Sequence, residues 1–124
     1  MTSFNIDNNQ ARYQIRAYQP GQILVNEKLL TQSIIISANQ LIEDWSPEQA
    51  SEITEANLAQ AIALQPSILI IGTGTIQTFI SLEVYGNLLN QGIGVEIMNT
   101  AAACRTYNVL TAENRNVVAA LVLK

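Results

Sequence analysis

Apolar residues recur along this chain in two rhythms, and the change between them separates a strand-rich first third from an alternating second half. The first rhythm has a period of two. Tyr13-Gln-Ile-Arg-Ala-Tyr18 alternates, and Gln22-Ile-Leu-Val25 follows the turn signal Pro20-Gly21. Ser33-Ile-Ile-Ile-Ser37 is a continuous β-branched run, the mark of a strand covered on both faces. The connections are short enough for hairpins, so these strands read as one antiparallel group. A helical stretch follows. Ser46-Pro47-Glu48-Gln49 has the form of a capping box with proline at the first helical position. A second start at Thr54 leads to Leu58 and Ile62, four residues apart on one helical face.

From residue 67 onward, strands and helices alternate. The pattern predicts a strand over 67–71, a helix over 82–90 capped by Ser81, and a strand over 94–98. A helix over 100–112 and a strand over 116–123 complete it. A β-α-β-α-β series implies right-handed crossovers and at least locally parallel strands. The expected fold is α/β with mixed α+β character: N-terminal antiparallel strands plus a βαβαβ unit, forming a mixed sheet with helices packed on it. With 124 residues the chain is long enough to bury a core, and residues 1–124 read as a single domain.

Charge changes the picture more than overall composition does. Apolar residues make up an ordinary 48%, but charged residues are only 13%, about half the usual share of roughly 25%. Much of the surface must then be neutral or apolar. Two readings stay open: a contact surface for a protein partner or a homo-oligomer, or a surface solvated by the abundant Asn, Gln, Ser and Thr. The formal net charge is −4, and no Lys or Arg occurs between Lys28 and Arg105. That stretch carries Glu43, Asp44, Glu48, Glu52, Glu55, Glu83 and Glu96. Such a chain offers no basic stripe to neutralise phosphates, so no nucleic acid is expected as a partner. Glu52 and Glu55 lie near a helix start, where the dipole favours anions, which accounts for much of the acidic cluster structurally. Cys104 is the sole cysteine, so no intrachain disulfide can form and a reducing compartment is the natural setting. The segment up to Ala11 is polar, without the apolar stretch of a secretory signal, and the longest apolar runs are too short to span a bilayer. The expected location is cytoplasmic, with no membrane insertion.

Candidate chemistry concentrates in two places. Gly72-Thr73-Gly74-Thr75 follows a strand, as a dinucleotide-binding loop would, yet a third glycine would fall at Gln77 and the next helix begins late. The acid expected after the following strand is Asn99 instead, and no Gly-Lys-Ser/Thr is present. What remains is a sharp turn whose amides could hold an anion. The second place is 96–115, where Asn99 and Thr100 cap a helix. At 100° per residue Arg105 and Asn108 share one stripe, flanked by Ala101 and Ala112, while Ala103, Tyr107 and Leu110 fall on another that faces the core. Parallel strands open at their carboxyl ends on the same edge. The candidate pocket is therefore Gly72, Thr73, Gly74, Thr75, Asn99, Thr100, Arg105, Thr106 and Asn108, supported by Glu96, Cys104, Tyr107, Glu113 and Arg115. Arg105 either holds a small anionic ligand or pairs with Glu113 or Glu96 to tie the helix to the sheet. Cys104, mid-helix among apolar neighbours, reads as a small core residue. With no histidine, Ser-His-Asp and Cys-His triads and histidine metal sites are excluded. No catalytic residue, metal or cofactor is expected.

Three stretches carry a family resemblance. Pro66-Ser-Ile-Leu-Ile-Ile-Gly-Thr-Gly74, Gly92-Ile-Gly-Val-Glu-Ile-Met98 and Thr100-Ala-Ala-Ala-Cys-Arg-Thr-Tyr-Asn-Val-Leu110, with Glu113 and Arg115 behind them, resemble the Mth-type domain of unknown function. That family includes a mitochondrial assembly factor of respiratory complex I and an adipogenesis-associated relative. The resemblance implies a mixed sheet with helices on one side and a role in assembly or interaction, with no established catalytic activity. The chain departs from the pattern at Asn99, usually Asp, which removes a charge from the candidate pocket. It departs again at Asn114, where glycine is common and a left-handed turn is implied. The expected function is a non-catalytic interaction or assembly module. The alternative is a small-molecule (anion) binding protein or enzyme using the pocket between Gly72–Thr75 and the Asn99–Asn108 helix start.

Overall fold

Three short strands, β1 (Ile15–Gln19), β2 (Gln22–Val25) and β3 (Lys28–Leu30), form an antiparallel sheet in that order. Gly21 and Asn26 turn the chain between them, both with positive φ, where glycine and asparagine are the tolerated residues. The computed structural model describes residues 9–124. Residues 1–8, most of the polar segment read above as carrying no secretory signal, lie outside the described residues.

The next strand leaves this group. β4 (Ile34–Ser37) pairs with the two-residue β5 (Leu41–Ile42) and, antiparallel, with the last strand, β8 (Val117–Val122). The N-terminal strands are therefore shared between two sheets, where a single antiparallel group was expected. The reason lies in the isoleucine run: Ile34 and Ile36 face one core and Ile35 the other, and all three are fully buried. A two-faced apolar strand needs cover on both sides, which a small surface sheet cannot supply.

The Ser46-Pro47 helix start does not form. Trp45 is buried, its backbone N–H bonded to Ser33 O and its indole Nε1–H to Asn57 O at 2.8 Å. This anchoring holds the following residues in a bend, and only a single 3-10 turn over Ala50–Glu52 follows. The second start is real. Helix α1 (Glu55–Ile62) begins at Thr54, whose hydroxyl accepts from Asn57 N–H while the Asn57 side chain accepts from Thr54 N–H.

The second half follows its periodicity closely: β6 (Ile68–Thr73), α2 (Leu82–Asn90), β7 (Gly94–Met98), α3 (Thr100–Ala112), then β8. β6 lies between β7 and β8 and is parallel to both, giving a five-stranded mixed sheet of order β5-β4-β8-β6-β7. Alternate residues of β8 feed two cores. Val117, Ala119 and Leu121 pack with Ile70, Ala103 and Tyr107 under α3 and the small sheet, and Val118, Ala120 and Val122 pack with Leu58 and Leu88 under α1 and α2. Helices thus cover both faces, where the family resemblance implied one. Handedness requires it: the β6-to-β7 step runs one way along the sheet and the β7-to-β8 step runs back, so right-handed crossovers place α2 and α3 on opposite faces.

Candidate functional site

That reversal makes the carboxyl ends of β6 and β7 the switch point of the sheet, the position where open α/β sheets take ligands. The sequence places Gly72–Thr75 and Asn99–Thr100 on its two sides, and the structure brings them into direct contact. Gly74 N–H donates to Thr100 Oγ1 at 2.8 Å, Thr100 N–H donates to Gly74 O at 2.9 Å, and Thr100 Oγ1–H donates to Val122 O at 2.6 Å. Thr100 is fully buried. Gly72 is required by this closeness: a Cβ there would come within 2.8 Å of Leu121 Cδ2 and 2.9 Å of Thr100 Oγ1. Gly74 has φ +96° and faces the Lys124 carbonyl. One loop amide that could have met an anion is held by a threonine. Asn99 caps α3 by accepting from Ala102 N–H at 2.8 Å. Thr73 Oγ1–H faces Ile76 O at 2.8 Å and Met98 O at 3.3 Å, and the same oxygen accepts from Thr78 N–H at 3.1 Å, folding the loop onto β7. Thr73, Thr75 and Thr78 line a shallow cavity of about 330 Å³ with Ile76, Ala50 and Lys124; Arg105 is not part of that lining.

The other α3 residues separate by face. Asn108 imitates a strand neighbour for β1: its Nδ2 donates to Ile15 O at 2.7 Å and its Oδ1 accepts from Ile15 N–H at 3.2 Å. Tyr107 is fully buried, with its hydroxyl donating to Tyr13 O at 2.7 Å. Burial pushes the Tyr107 phenol above its usual range. Thr106 Oγ1–H donates to Met98 Sδ at 3.4 Å. Arg105 is exposed. Among the described residues the ion pairs are Lys28–Glu43 and Lys124–Glu48, so Arg105 pairs with neither Glu113 nor Glu96. Glu96 stands exposed on the edge strand β7, and Glu113 and Arg115 are exposed at the end of α3. Asn114 takes the left-handed conformation (φ 60°) that the turn calls for, and Arg115 N–H closes it on Leu110 O at 2.9 Å. Cys104 is buried in the core; desolvation, only partly countered by Arg105, pushes its thiol up to about 12.

A different feature stands out on the surface. Phe79 and Ile76, in the loop after β6, and Leu82, at the start of α2, are largely exposed. Sequence reasoning does not single them out, because Ile76 and Phe79 lie in a loop outside the periodic segments and Leu82 is simply the first residue of the periodic helix over 82–90. The available signal was three large apolar residues, Ile76, Phe79 and Ile80, in a loop of Thr, Gln and Ser, of which Ile80 alone is buried.

The β6-α2-β7-α3-β8 crossing closed by Thr100, the appended antiparallel sheet and the α3–β1 bridge together define a two-sheet α/β domain of the Mth type. Residues 15–122 match the family described as Protein of unknown function (DUF498/DUF598), and the chain belongs to that family. It is 33% identical over 109 residues to the 13 kDa major membrane protein of Francisella tularensis, covering 87% of this chain and 89% of that one. It is 30% identical over 110 residues to NADH dehydrogenase (ubiquinone) 1 alpha subcomplex assembly factor 3 of Danio rerio, covering 87% of this chain. The match spans 63% of that zebrafish protein. The solution structure of a Bordetella pertussis protein, a Mth938-like domain, superposes with a TM-score of 0.80 at 31% identity, covering 99% of this chain and 90% of that one. The resemblance drawn from the three sequence stretches therefore holds. Among the described residues no helix is long and apolar enough to cross a membrane.

Proposed function

We propose that this chain is a non-catalytic interaction module that serves the assembly of a larger protein complex. The observation that carries the reading is Phe79, 87% exposed, with Ile76 and Leu82 beside it in sequence and also exposed. Grouped apolar side chains in water mark contact sites. Two further points support it. The zebrafish relative bears the name of an assembly factor, and the polar groups at the crossing largely bond within the fold, as the Gly74–Thr100 and Asn108–Ile15 pairs do. The reading places the chain in the cytoplasm, its one thiol buried. Native mass spectrometry of the protein purified gently from its own cells tests the proposal. A complex of defined stoichiometry with a second polypeptide is expected, unchanged by Arg105→Ala; monomer or self-copies alone would overturn it.

The competing reading, a small-anion site, has one observation in its favour: three threonine side chains and Lys124 line the shallow cavity beside the loop. Melting curves across carboxylates, phosphates and nucleotides separate the two, because a specific ligand raises the melting temperature by mass action. The interaction reading expects flat curves. A shift that weakens in Lys124→Gln, which removes the cationic group from that lining, would favour the anion site.

A further inference from the structure

The crossing of β6 and α3 is closed on itself, but the surface that follows it is open. Ile76, Phe79, Leu82 and Leu89 are 72%, 87%, 58% and 45% exposed. On α2, Leu82, Gly86 and Leu89 are spaced i, i+4, i+7 and form one stripe, while Leu88 turns into the core. A Cβ at Gly86 would meet nothing nearer than the Leu82 side chain at 3.6 Å, an ordinary contact. The fold therefore has no steric need for glycine here, and glycine is a poor helix former. What Gly86 provides is a notch between two leucines where another backbone can approach closely.

The rim of this stripe is acidic. Glu83 and Asn87 lie on the neighbouring face of α2, and Asn87 Nδ2 donates to Glu55 of α1 at 2.7 Å. Ile76 lines a cavity together with Ala50, whose turn follows Glu48 and ends at Glu52. Neither α1, α2 nor their connecting loops contain a Lys or Arg, and the nearby Lys124 is paired with Glu48.

We propose that this stripe docks an amphipathic helix of a partner protein, apolar on one face and flanked by Lys or Arg. The assignment rests on the interaction reading above and gives it a surface. Charge selects the occupant. A second copy seated on the same stripe would set Glu55 and Glu83 against their own counterparts, and like charges across an interface oppose association. An anionic lipid surface would meet the same acids. A cationic helix meets opposite charge at the rim and places its apolar residues against Phe79 and into the notch, the helix-in-groove mode of recognition.

Nuclear magnetic resonance titration of the labelled full chain with a synthetic amphipathic Leu/Lys helix tests this, with a scrambled peptide of equal composition as control. Amide shifts confined to 74–90 and the start of α1 are expected, with affinity about tenfold above the scrambled peptide and weakening in salt. Phe79→Ser and Gly86→Gln should each lower affinity roughly fivefold or more without altering the fold, since Phe79 is exposed and a Cβ at position 86 meets nothing closer than an ordinary contact with Leu82. Shifts elsewhere, equal affinity for the scrambled peptide, or variants that bind like wild type would overturn the assignment. So would Phe79-dependent binding to phosphatidylglycerol vesicles, or Phe79-dependent dimerisation in sedimentation equilibrium. A native partner still held by Phe79→Ser overturns this surface and leaves the interaction reading standing. A chain with no native partner overturns that reading itself.

Discussion

Replacing Thr100 by valine is the sharpest test of how the crossing is closed. Valine keeps the β-branched outline and removes only the hydroxyl, which accepts from Gly74 N–H and donates to Val122 O in a fully buried position. A buried polar group left without a partner costs about 1–3 kcal/mol. Two such groups, less the roughly 1 kcal/mol gained by burying an extra methyl, give a loss of about 3 kcal/mol. Thr100→Ser keeps both bonds and loses one methyl, for about 1 kcal/mol. Trp45 is the only tryptophan and is buried, so its fluorescence reports urea unfolding directly. With a slope of roughly 1.5 kcal/mol per molar urea, Thr100→Val should lower the midpoint by about 2 M at unchanged slope. A valine variant within about 1 kcal/mol of wild type, or more stable than the serine variant, would refute the reasoning. It would mean that Gly74 N–H finds another acceptor and that the crossing admits water or a ligand.

Glycine positions should split in sign. Gly74→Ala strains a left-handed residue and drives a Cβ into the Lys124 carbonyl, so thermal melting should show a loss of about 3 kcal/mol or more. Gly86→Ala makes only ordinary contact with the Leu82 side chain and should gain roughly 0.5–1 kcal/mol in the same assay. Asn108→Ala removes both bonds to Ile15 and should cost about 2 kcal/mol, with hydrogen exchange quickening first in β1. The Cys104 thiol, raised from its ordinary 9.0 to about 12, should stay unreactive toward thiol reagents at pH 8 in the folded protein and react on unfolding. The sign for stability follows from linkage. Above pH 9 the unfolded thiol ionises and the folded one does not, so its contribution is intact below pH 9 and is lost as pH rises toward 12. Cys104→Ala should flatten that alkaline decline in urea titrations, leaving the part due to the raised Tyr107 and Tyr18 phenols.

Where local signals and packing agree, the chain was legible. Ser81 and Asn99 cap α2 and α3 at the expected residues, and β7 runs over its expected span because apolar periodicity and caps point the same way there. The N-terminal third was harder. β3 and β5 are three and two residues long, too short to show a period. The Ser46-Pro47 signal was overridden by Trp45, whose burial is a tertiary fact that no window of sequence contains. At the candidate site, strand order placed Gly72–Thr75 near Asn99–Asn108; the contact is with Thr100 at the start of that segment, while Asn108 turns to Ile15. Strand order did not reveal that the meeting is a direct hydrogen bond, since a threonine hydroxyl facing a ligand and one facing a backbone amide look alike in sequence. Helical projection put Arg105 and Asn108 on one stripe, yet among the described residues Asn108 bonds to β1 while Arg105 stays exposed, because β1 packs along the Asn108 side of α3.

The central claim, that this chain works by holding another protein through the Phe79 surface, is most directly tested by a photo-crosslinking phenylalanine analogue placed at position 79 in living cells. A matched probe at Val109, exposed on α3, serves as control. The account predicts one discrete adduct with a different polypeptide from position 79 and none of that species from position 109. Adducts only with other copies of the chain, the same products from both positions, or no adduct from position 79 would contradict it.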